Sequence, residues 1–261
     1  MMILAGIIQF GVTIALMVWL LKRKPGEKFS KKTVAKCILL GCLGTALTYI
    51  LSIVVSLDEN TFYGMNPILS GFLTALITAA ILEEVSKYIL FRLALLKNNE
   101  VVTWLDAMIA AILVGAGFTL LEDVVYLAFG APSILRALLP MHLLFQGAMG
   151  YYYGKARVTK QFKYHVLSLV VPILCHTLFD MFLIGIKSIV GDIKDVKNLT
   201  NEELMSLPYA NYFIPLLVCA VIVFIVMFIA LVMMFKKIGV WSKNGEKQEL
   251  LDGTSEVAEN I

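Results

Sequence analysis

Seven stretches of the sequence are almost wholly apolar and long enough to cross a lipid bilayer. The apolar core of a bilayer is about 30 Å thick, which a helix crosses in roughly 20 residues. Strands with open edges cannot satisfy their backbone groups in lipid, so each stretch should be a helix. The predicted fold is therefore an all-α, polytopic membrane bundle of about seven transmembrane helices. Its spans lie at 1–21, 33–56, 67–91, 102–129, 133–153, 164–187 and 211–235.

The positive charges predict the orientation of this bundle. Of the 22 Lys and Arg residues, seventeen fall on one side of the predicted spans, four fall on the other side, and Lys87 lies within a span. Loops rich in Lys and Arg stay in the cytoplasm, so we expect the N-terminus outside and the C-terminus inside. The net charge of +3 reflects this topology, and we expect no nucleic-acid partner.

The sequence predicts one membrane domain followed by a tail. Residues 1–235 form the seven-helix domain, and 236–261 form a polar cytoplasmic tail that we expect to be mostly disordered. In the outer loop, Thr200 and Glu203 have the spacing of a capping box, which predicts a short helix near 201–206.

Ionisable residues are concentrated in four consecutive spans. An ionisable group at the centre of a bilayer costs about 2.5 kcal/mol or more, so such groups usually face the protein interior and have a partner. The first, second and seventh spans contain essentially none. The third to sixth spans carry the ionisable residues Glu83, Glu84, Lys87, Glu122, Asp123, His142, His176 and Asp180, together with the amide of Gln146. These side chains could line a common polar pocket able to carry out hydrolysis.

The spacing of these residues repeats from helix to helix. Each of the four spans offers an i, i+4 pair, which places two polar side chains on one helical face. The pairs are Glu83 with Lys87, Glu122 with Tyr126, His142 with Gln146, and His176 with Asp180. Glu84 and Asp123 each lie about 100° around the helix from the preceding Glu, so neither should point at the same centre as that Glu.

The depth of Glu83 depends on where the third span begins. A helix that enters at Pro67 would place Glu83 deeper in the bilayer than the polar residues of the other spans. A span that begins near Leu73, with Gly71 as a break and the stretch from Asn66 at the interface, brings Glu83 level with them. We expect the second arrangement.

Four motifs in the polar spans, taken in order, resemble those of the PrsW family of intramembrane proteases. That family is distantly related to the Rce1-like group of CAAX-processing and bacteriocin-processing proteases. The motifs are Glu83-Glu84-x-x-Lys87, Phe118-x-x-x-Glu122-Asp123, His142 followed by Gly150, and His176-x-x-x-Asp180. The chain departs from the family pattern at Val85 and Asp123, which leaves the subfamily and the substrate open.

The resemblance implies a protease domain with a catalytic core at 73–187, and the residues can be given roles on physical grounds. Either Glu83 or Glu84 is the general base that activates water. The two carboxylates repel each other, so one can stay protonated while Lys87 holds the other as its anion. The histidines donate hydrogen bonds to the oxyanion. The predicted catalytic residues are Glu83, Glu84, Glu122, His142 and His176, and the predicted supporting residues are Lys87, Asp180, Asp123 and Gln146. No cofactor is required in this mechanism; in the alternative, His142, His176 and Glu122 bind a catalytic zinc.

The resemblance also implies a substrate class and a location. The expected substrate is a membrane protein cut near the extracytoplasmic face, such as a single-span anti-sigma factor, and the expected location is a bacterial cell membrane. Two other functions fit buried Glu, Asp and His residues. One is a proton-coupled transporter, and the other is a non-catalytic scaffold with the same fold.

Overall fold

The computed structural model describes residues 2–24, 26–56, 61–62, 64–129, 140–191 and 200–244. This part of the chain forms helices and connecting turns, without a β-strand, and confirms the all-α class. The elements are α1 (Met2–Arg23), α2 (Lys31–Val55), α3 (Pro67–Leu73), a π-helical segment (Thr74–Ala80), α4 (Ile81–Leu95), α5 (Trp104–Ala128), α6 (Met141–Thr159), α7 (Phe162–Val190), α8 (Asn201–Ser206), a 3-10 turn (Ala210–Tyr212) and α9 (Phe213–Asn244).

Five helices in the described residues are long and apolar enough to cross a membrane. They are Lys31–Val55, Pro67–Leu95, Trp104–Ala128, Phe162–Val190 and Ala210–Ser242. The total of seven spans and the orientation of the termini stay predictions. The predicted start of the fifth span at 133–139, residues 192–199 of the outer loop and residues 245–261 of the tail lie outside the described residues.

The third span differs from the sequence prediction at its start. The expected break at Gly71 is wrong, because the helix begins at Pro67 and runs on to Leu95. The start of the membrane span near Leu73 stays a prediction. The Asn66 side chain caps this start by accepting a hydrogen bond from the N–H of Ile68 at 3.0 Å. A glycine is needed at position 71 because a Cβ there would meet the Met181 carbonyl of α7.

Helical geometry changes within this span without breaking it. Residues Thr74–Ala80 form wider π-helical turns between α3 and α4. The Thr78 hydroxyl donates to the carbonyl of Thr74 at 2.8 Å in this segment. Wider turns rotate the chain less per residue, so the segment sets the direction in which the first turn of α4 presents its side chains.

The last helix continues nine residues past the predicted span end at 235, so residues 236–244 are helical. Packing explains the extension. Ile238 is fully buried, and the ring of Trp241 lies 4.9 Å from that of Trp104 at the start of α5. Partners for the last turns hold this polar stretch in a helix.

The short helix of the outer loop is where the sequence placed it. The hydroxyl of Thr200 accepts a hydrogen bond from the N–H of Glu203 at 3.2 Å, and the Glu203 carboxylate accepts from the N–H of Thr200 at 2.8 Å. This reciprocal pair is the predicted capping box, and it starts α8.

The chain divides into two compact units. The first consists of residues 1–49, 83–172 and 229–261, and the second of 50–82 and 173–228. In the second unit, the backbones of α3 and α7 are in contact at Gly71 and Gly185, because a Cβ at Gly71 would lie 2.9 Å from the backbone nitrogen of Gly185. The rings of Phe179 and Phe224 pack edge-on at 4.8 Å in the same unit.

Helix α5 is the centre of the first unit, with a continuous run of buried residues from Leu105 to Thr119. Its start is fixed by Asp106, which forms a capping box with Thr103 and a 2.9 Å ion pair with the buried Lys24. Helix α6 packs closely on α5 at Gly150, where a Cβ would lie 2.6 Å from the Cα of Met108.

Helix α2 packs on the other side of α5 through glycine. A Cβ at Gly117 would collide with the backbone carbonyl of Ile38 in α2. The hydroxyl of Thr45 donates to the carbonyl of Phe118 at 3.2 Å, and the thiol of Cys42 donates to the carbonyl of Gly117 at 3.3 Å. Small residues and such hydrogen bonds are what holds membrane helices together.

We expect Gly117→Ala to lower the stability of the folded protein in detergent by about 1–3 kcal/mol, because the added methyl group forces α2 and α5 apart. Thermal unfolding followed by intrinsic fluorescence measures the effect. The control is Gly11→Ala in α1, where nothing lies within 4 Å of the new Cβ. Equal midpoints for the two variants would contradict the close packing of α2 on α5.

Candidate active site

The first two turns of α4 hold a fully buried lysine between two glutamates. Lys87 Nζ donates to Glu83 Oε2 at 2.9 Å and to Glu84 Oε1 at 2.8 Å. The side chains of Lys87 and Glu84 are 0% exposed, whereas that of Glu83 is 15% exposed. The prediction that Glu83 and Glu84 could not face one centre is wrong. Lys87 follows them by four and three residues, so its side chain reaches between the two carboxylates.

The same ammonium also contacts the imidazole of His142 in α6. Lys87 Nζ lies 2.9 Å from His142 Nδ1, and His142 Nε2 lies 2.8 Å from Glu122 Oε2 of α5. An ammonium only donates, so Nδ1 is the acceptor and the ring proton is on Nε2. His142 Nε2–H therefore donates to Glu122. This hydrogen-bond network assigns the neutral tautomer of the ring.

The ring of Phe118 forms the apolar wall of this cluster. Lys87 Nζ lies 3.9 Å from its centroid, and the imidazole of His142 packs on its edge at 5.0 Å between centroids. Gly44 of α2 packs against this ring, since a Cβ added at Gly44 would lie 3.3 Å from it. The attraction between a cation and an aromatic face is stronger when both are removed from water.

Gln146, one turn beyond His142, completes the contacts of Glu84. Its Nε2 donates to Glu84 Oε2 at 2.8 Å, and its side chain is 0% exposed. Gly115 makes this possible, because a Cβ there would lie 2.6 Å from the Gln146 Cγ. Both oxygens of Glu84 thus accept a hydrogen bond, one from Lys87 and one from Gln146. The Glu84 carboxylate is therefore held by a hydrogen bond at each oxygen.

The second unit contains the other predicted pair. His176 Nε2 lies 3.0 Å from Asp180 Oδ2, and the two side chains are 4% and 28% exposed. The i, i+4 spacing therefore brings them together as predicted. The catalytic role of His176 and the supporting role of Asp180 stay predictions.

Two further residues of the fourth predicted span lie in different surroundings. Asp123 is buried, with 1% of the residue exposed, whereas Tyr126 is 37% exposed. Glu122 itself is 13% exposed and contacts His142. The supporting role of Asp123 stays a prediction.

The chemistry of the donor atoms fits a divalent metal ion. One ligand atom each from Glu83, Glu84 and His142 lies within 4.8 Å of the others. Carboxylate oxygen and imidazole nitrogen are ligand types that zinc takes. His142 Nε2 also lies 4.0 Å from Glu83 Oε2. The side chains of Glu83, Glu84 and His142 could therefore contribute to such a site.

Sequence reasoning missed three features of the site. Lys87 was expected to pair with a glutamate of its own helix, but not with His142, which is 55 residues away. The place of Gly115 beside the Gln146 side chain carries no local sequence signal. Phe118 stands in a quoted motif, yet its ring contact with Lys87 depends on the packing of three helices.

Comparisons with known proteins agree with the motif pattern. A profile of the family described as PrsW family intramembrane metalloprotease matches residues 30–234. Protease PrsW of Geobacillus kaustophilus is 34% identical over 117 residues, which cover 42% of this chain and 52% of that protein. Protease PrsW of Bacillus subtilis is 31% identical over 125 residues, 45% of this chain and 57% of that protein.

A third relative gives a longer match at lower identity. Protease PrsW of Clostridioides difficile is 28% identical over 149 residues, which cover 51% of this chain and 62% of that protein. The chain thus spans about half to three-fifths of the length of the curated relatives it matches. No solved structure matches the chain.

We expect Lys87→Met to destabilise the protein by about 3–5 kcal/mol, because it leaves buried carboxylates without their ammonium. The double variant Lys87→Met/Glu84→Gln should lose less than the sum of the two single variants, since it removes one charge of each sign. Unfolding in mixed detergent measures this double-mutant cycle. Lys32→Met, at an exposed position of α2, is the control. Strictly additive single effects would contradict the buried ion pair.

Proposed function

The chain belongs to the PrsW family of intramembrane proteases, and from this premise we propose that it hydrolyses a peptide bond of a membrane-protein substrate at the Glu83–Lys87–His142 cluster. The observation that carries the proposal is the fully buried Lys87 ammonium, which binds Glu83, Glu84 and His142 at 2.8–2.9 Å. Such a cluster is costly in a helix bundle, and costly intramembrane charges mark functional sites. The protein is an integral membrane protein of a bacterial family.

We assign the general base to Glu83. Glu84 is 0% exposed and both of its oxygens accept hydrogen bonds, so it lacks access to a reacting water. Glu83 is 15% exposed, and its Oε2 lies 4.0 Å from His142 Nε2. A general base must reach the proton that it removes, so the more accessible carboxylate suits this role. Glu84 is a positioning residue that holds Lys87 in place.

The reaction then proceeds in two steps. Glu83 takes a proton from water while the water oxygen bonds to the carbonyl carbon of the substrate amide, and the carbonyl oxygen becomes an oxyanion. His142 Nε2–H leaves Glu122 and donates to that oxyanion. The C–N bond breaks next, and the proton on Glu83 passes to the departing amine nitrogen. The products are a carboxylic acid and an amine.

We propose the glutamic type of mechanism over the metal-dependent type. The Lys87 ammonium already provides a positive charge between Glu83, Glu84 and His142, and it occupies the Nδ1 lone pair of His142. The family description names a metalloprotease, and the donor set fits zinc. A bound zinc would activate water and polarise the substrate carbonyl. Glu83, Glu84 and His142 would hold it, whereas the ligand set predicted from the sequence is His142, His176 and Glu122.

The substrate that we propose is a single-span membrane protein cut near the extracytoplasmic face, such as an anti-sigma factor. This part rests on the family resemblance and on the predicted N-out orientation. Family membership favours a protease over the two alternatives inferred from the sequence, a proton-coupled transporter and a non-catalytic scaffold.

Glu83→Gln should lower the cleavage rate by about 10²–10⁴-fold. The unfolding midpoint should stay nearly unchanged, because the amide oxygen of glutamine can still accept a hydrogen bond from Lys87. Glu84→Gln, the matched variant, should lower the unfolding midpoint more than Glu83→Gln does. It should lower the cleavage rate less than Glu83→Gln does. Quantitative comparison of membrane proteomes from cells with the parent protein and each variant identifies the substrates. Full cleavage by the Glu83→Gln variant would overturn the proposal. Loss of a coupled ion flux in the same variant would favour a transporter.

The metal question has its own test. In the glutamic mechanism, purified active protein contains well under one zinc per chain by mass spectrometry, and a chelator leaves the cleavage rate unchanged. In that mechanism, His142→Ala should lower the cleavage rate and leave the metal content unchanged. About one zinc per chain that is lost in His142→Ala, together with chelator inactivation, would show the metal-dependent type instead.

A further inference from the structure

A pocket lined mainly by aromatic rings lies in the first unit, away from the residues proposed for catalysis. Its volume is about 250 Å³, and it is formed where the start of α5, the end of α6 and the end of α9 meet. The lining residues are Trp104, Tyr151, Lys155, Val158 and Trp241. A pocket of this size holds part of a small molecule, such as a headgroup, rather than a whole lipid.

The aromatic walls are held by one another and by the backbone. The ring of Trp104 packs edge-on against Trp241 at 4.9 Å and against Tyr151 at 5.7 Å. Gly154 brings the backbone of α6 against Trp104, since a Cβ there would lie 2.8 Å from the Trp104 Cα. The shape of the pocket is therefore formed before any ligand binds.

Lys155 supplies the charge of the pocket. Its ammonium lies 5.3 Å from the ring centroid of Tyr151 and 5.5 Å from that of Tyr164. Within the part of the chain that the structure describes, no carboxylate forms an ion pair with it, and neither indole N–H of the pocket donates a hydrogen bond. The pocket thus offers an anion an ammonium whose polar partner is the Tyr151 hydroxyl rather than a carboxylate.

The surrounding segment has the same sign of charge. Residues 151–165 contain Lys155, Arg157, Lys160 and Lys163 and no Asp or Glu. By the distribution of Lys and Arg, this segment lies on the predicted cytoplasmic side. Trp and Tyr are enriched where a membrane meets water, and basic pockets between membrane helices bind the headgroups of anionic lipids.

We propose that this pocket binds the headgroup of an anionic phospholipid, with the phosphate on Lys155 and the glycerol against the aromatic wall formed by Trp104, Tyr151 and Trp241. Exposed apolar side chains on α9, such as Met233 and Val240, offer a surface for the acyl chains. A membrane source fits better than a soluble phosphate, because three aromatic rings would bury apolar atoms that inorganic phosphate lacks. The proposal is independent of the protease mechanism.

The tryptophans of the pocket report on its occupancy. The chain has three Trp residues, so Trp19→Phe leaves the two pocket indoles as the only ones. This variant is reconstituted into phosphatidylcholine vesicles that contain either brominated phosphatidylglycerol or brominated phosphatidylcholine at equal mole fractions. We expect stronger quenching by the anionic lipid, with an association constant about fivefold higher.

Changes at Lys155 then test the role of the charge. Lys155→Gln in the Trp19→Phe background should remove the preference for the anionic lipid, Lys155→Arg should retain it, and Lys32→Gln at an exposed site should leave it unchanged. Circular dichroism and size-exclusion chromatography confirm that each variant is folded. Equal quenching by the two lipids in the Trp19→Phe protein, or an unchanged preference in Lys155→Gln, would overturn the proposal.

A competition experiment separates the two sources of phosphate. Unlabelled phosphatidylglycerol should relieve the quenching, while millimolar inorganic phosphate should not. Relief by inorganic phosphate as complete as that by the unlabelled lipid would show a site for free phosphate and would overturn the assignment to a lipid.

Discussion

The ammonium of Lys87 is the interaction on which the arrangement of the site depends. It has no exposed surface, and it contacts two carboxylates of its own helix and an imidazole of α6. A buried charge is stable only when its partners are close and well directed. The position of Lys87 therefore fixes which atoms of His142 accept and donate, and through His142 it fixes Glu122 of α5. One side chain orients groups from three helices.

The two adjacent glutamates are chemically alike but differ in their surroundings. Glu84 is enclosed by Lys87 and Gln146, whereas Glu83 shares Lys87 and keeps part of its surface accessible. An enzyme that needs one fixed anion and one reactive carboxylate can obtain both from consecutive residues in this way. The proposed division of roles follows from this difference in accessibility, which the sequence alone left open.

The sequence was informative where local spacing decides the structure. The pairs Glu83–Lys87 and His176–Asp180 and the capping box of α8 all form as their spacing predicts. It failed where packing over long distances decides. The π-helical turns at 74–80 replace the break expected at Gly71, and the contact of Lys87 with His142 joins residues far apart in the chain. The extension of α9 likewise depends on Trp104, a distant partner of Trp241.

The glycine contacts on both sides of α5 affect how the site responds to developing charge. Gly117 packs against the backbone of α2 and Gly115 packs against the side chain of Gln146, and at both positions even a Cβ would collide. The backbone around Phe118 and Glu122 therefore has little freedom to shift. Dipoles that are already aligned need no reorganisation when an oxyanion forms, and this alignment is the largest single source of catalytic rate in many enzymes. Under the proposed mechanism, this alignment would be complete once the helices have associated, before any substrate binds.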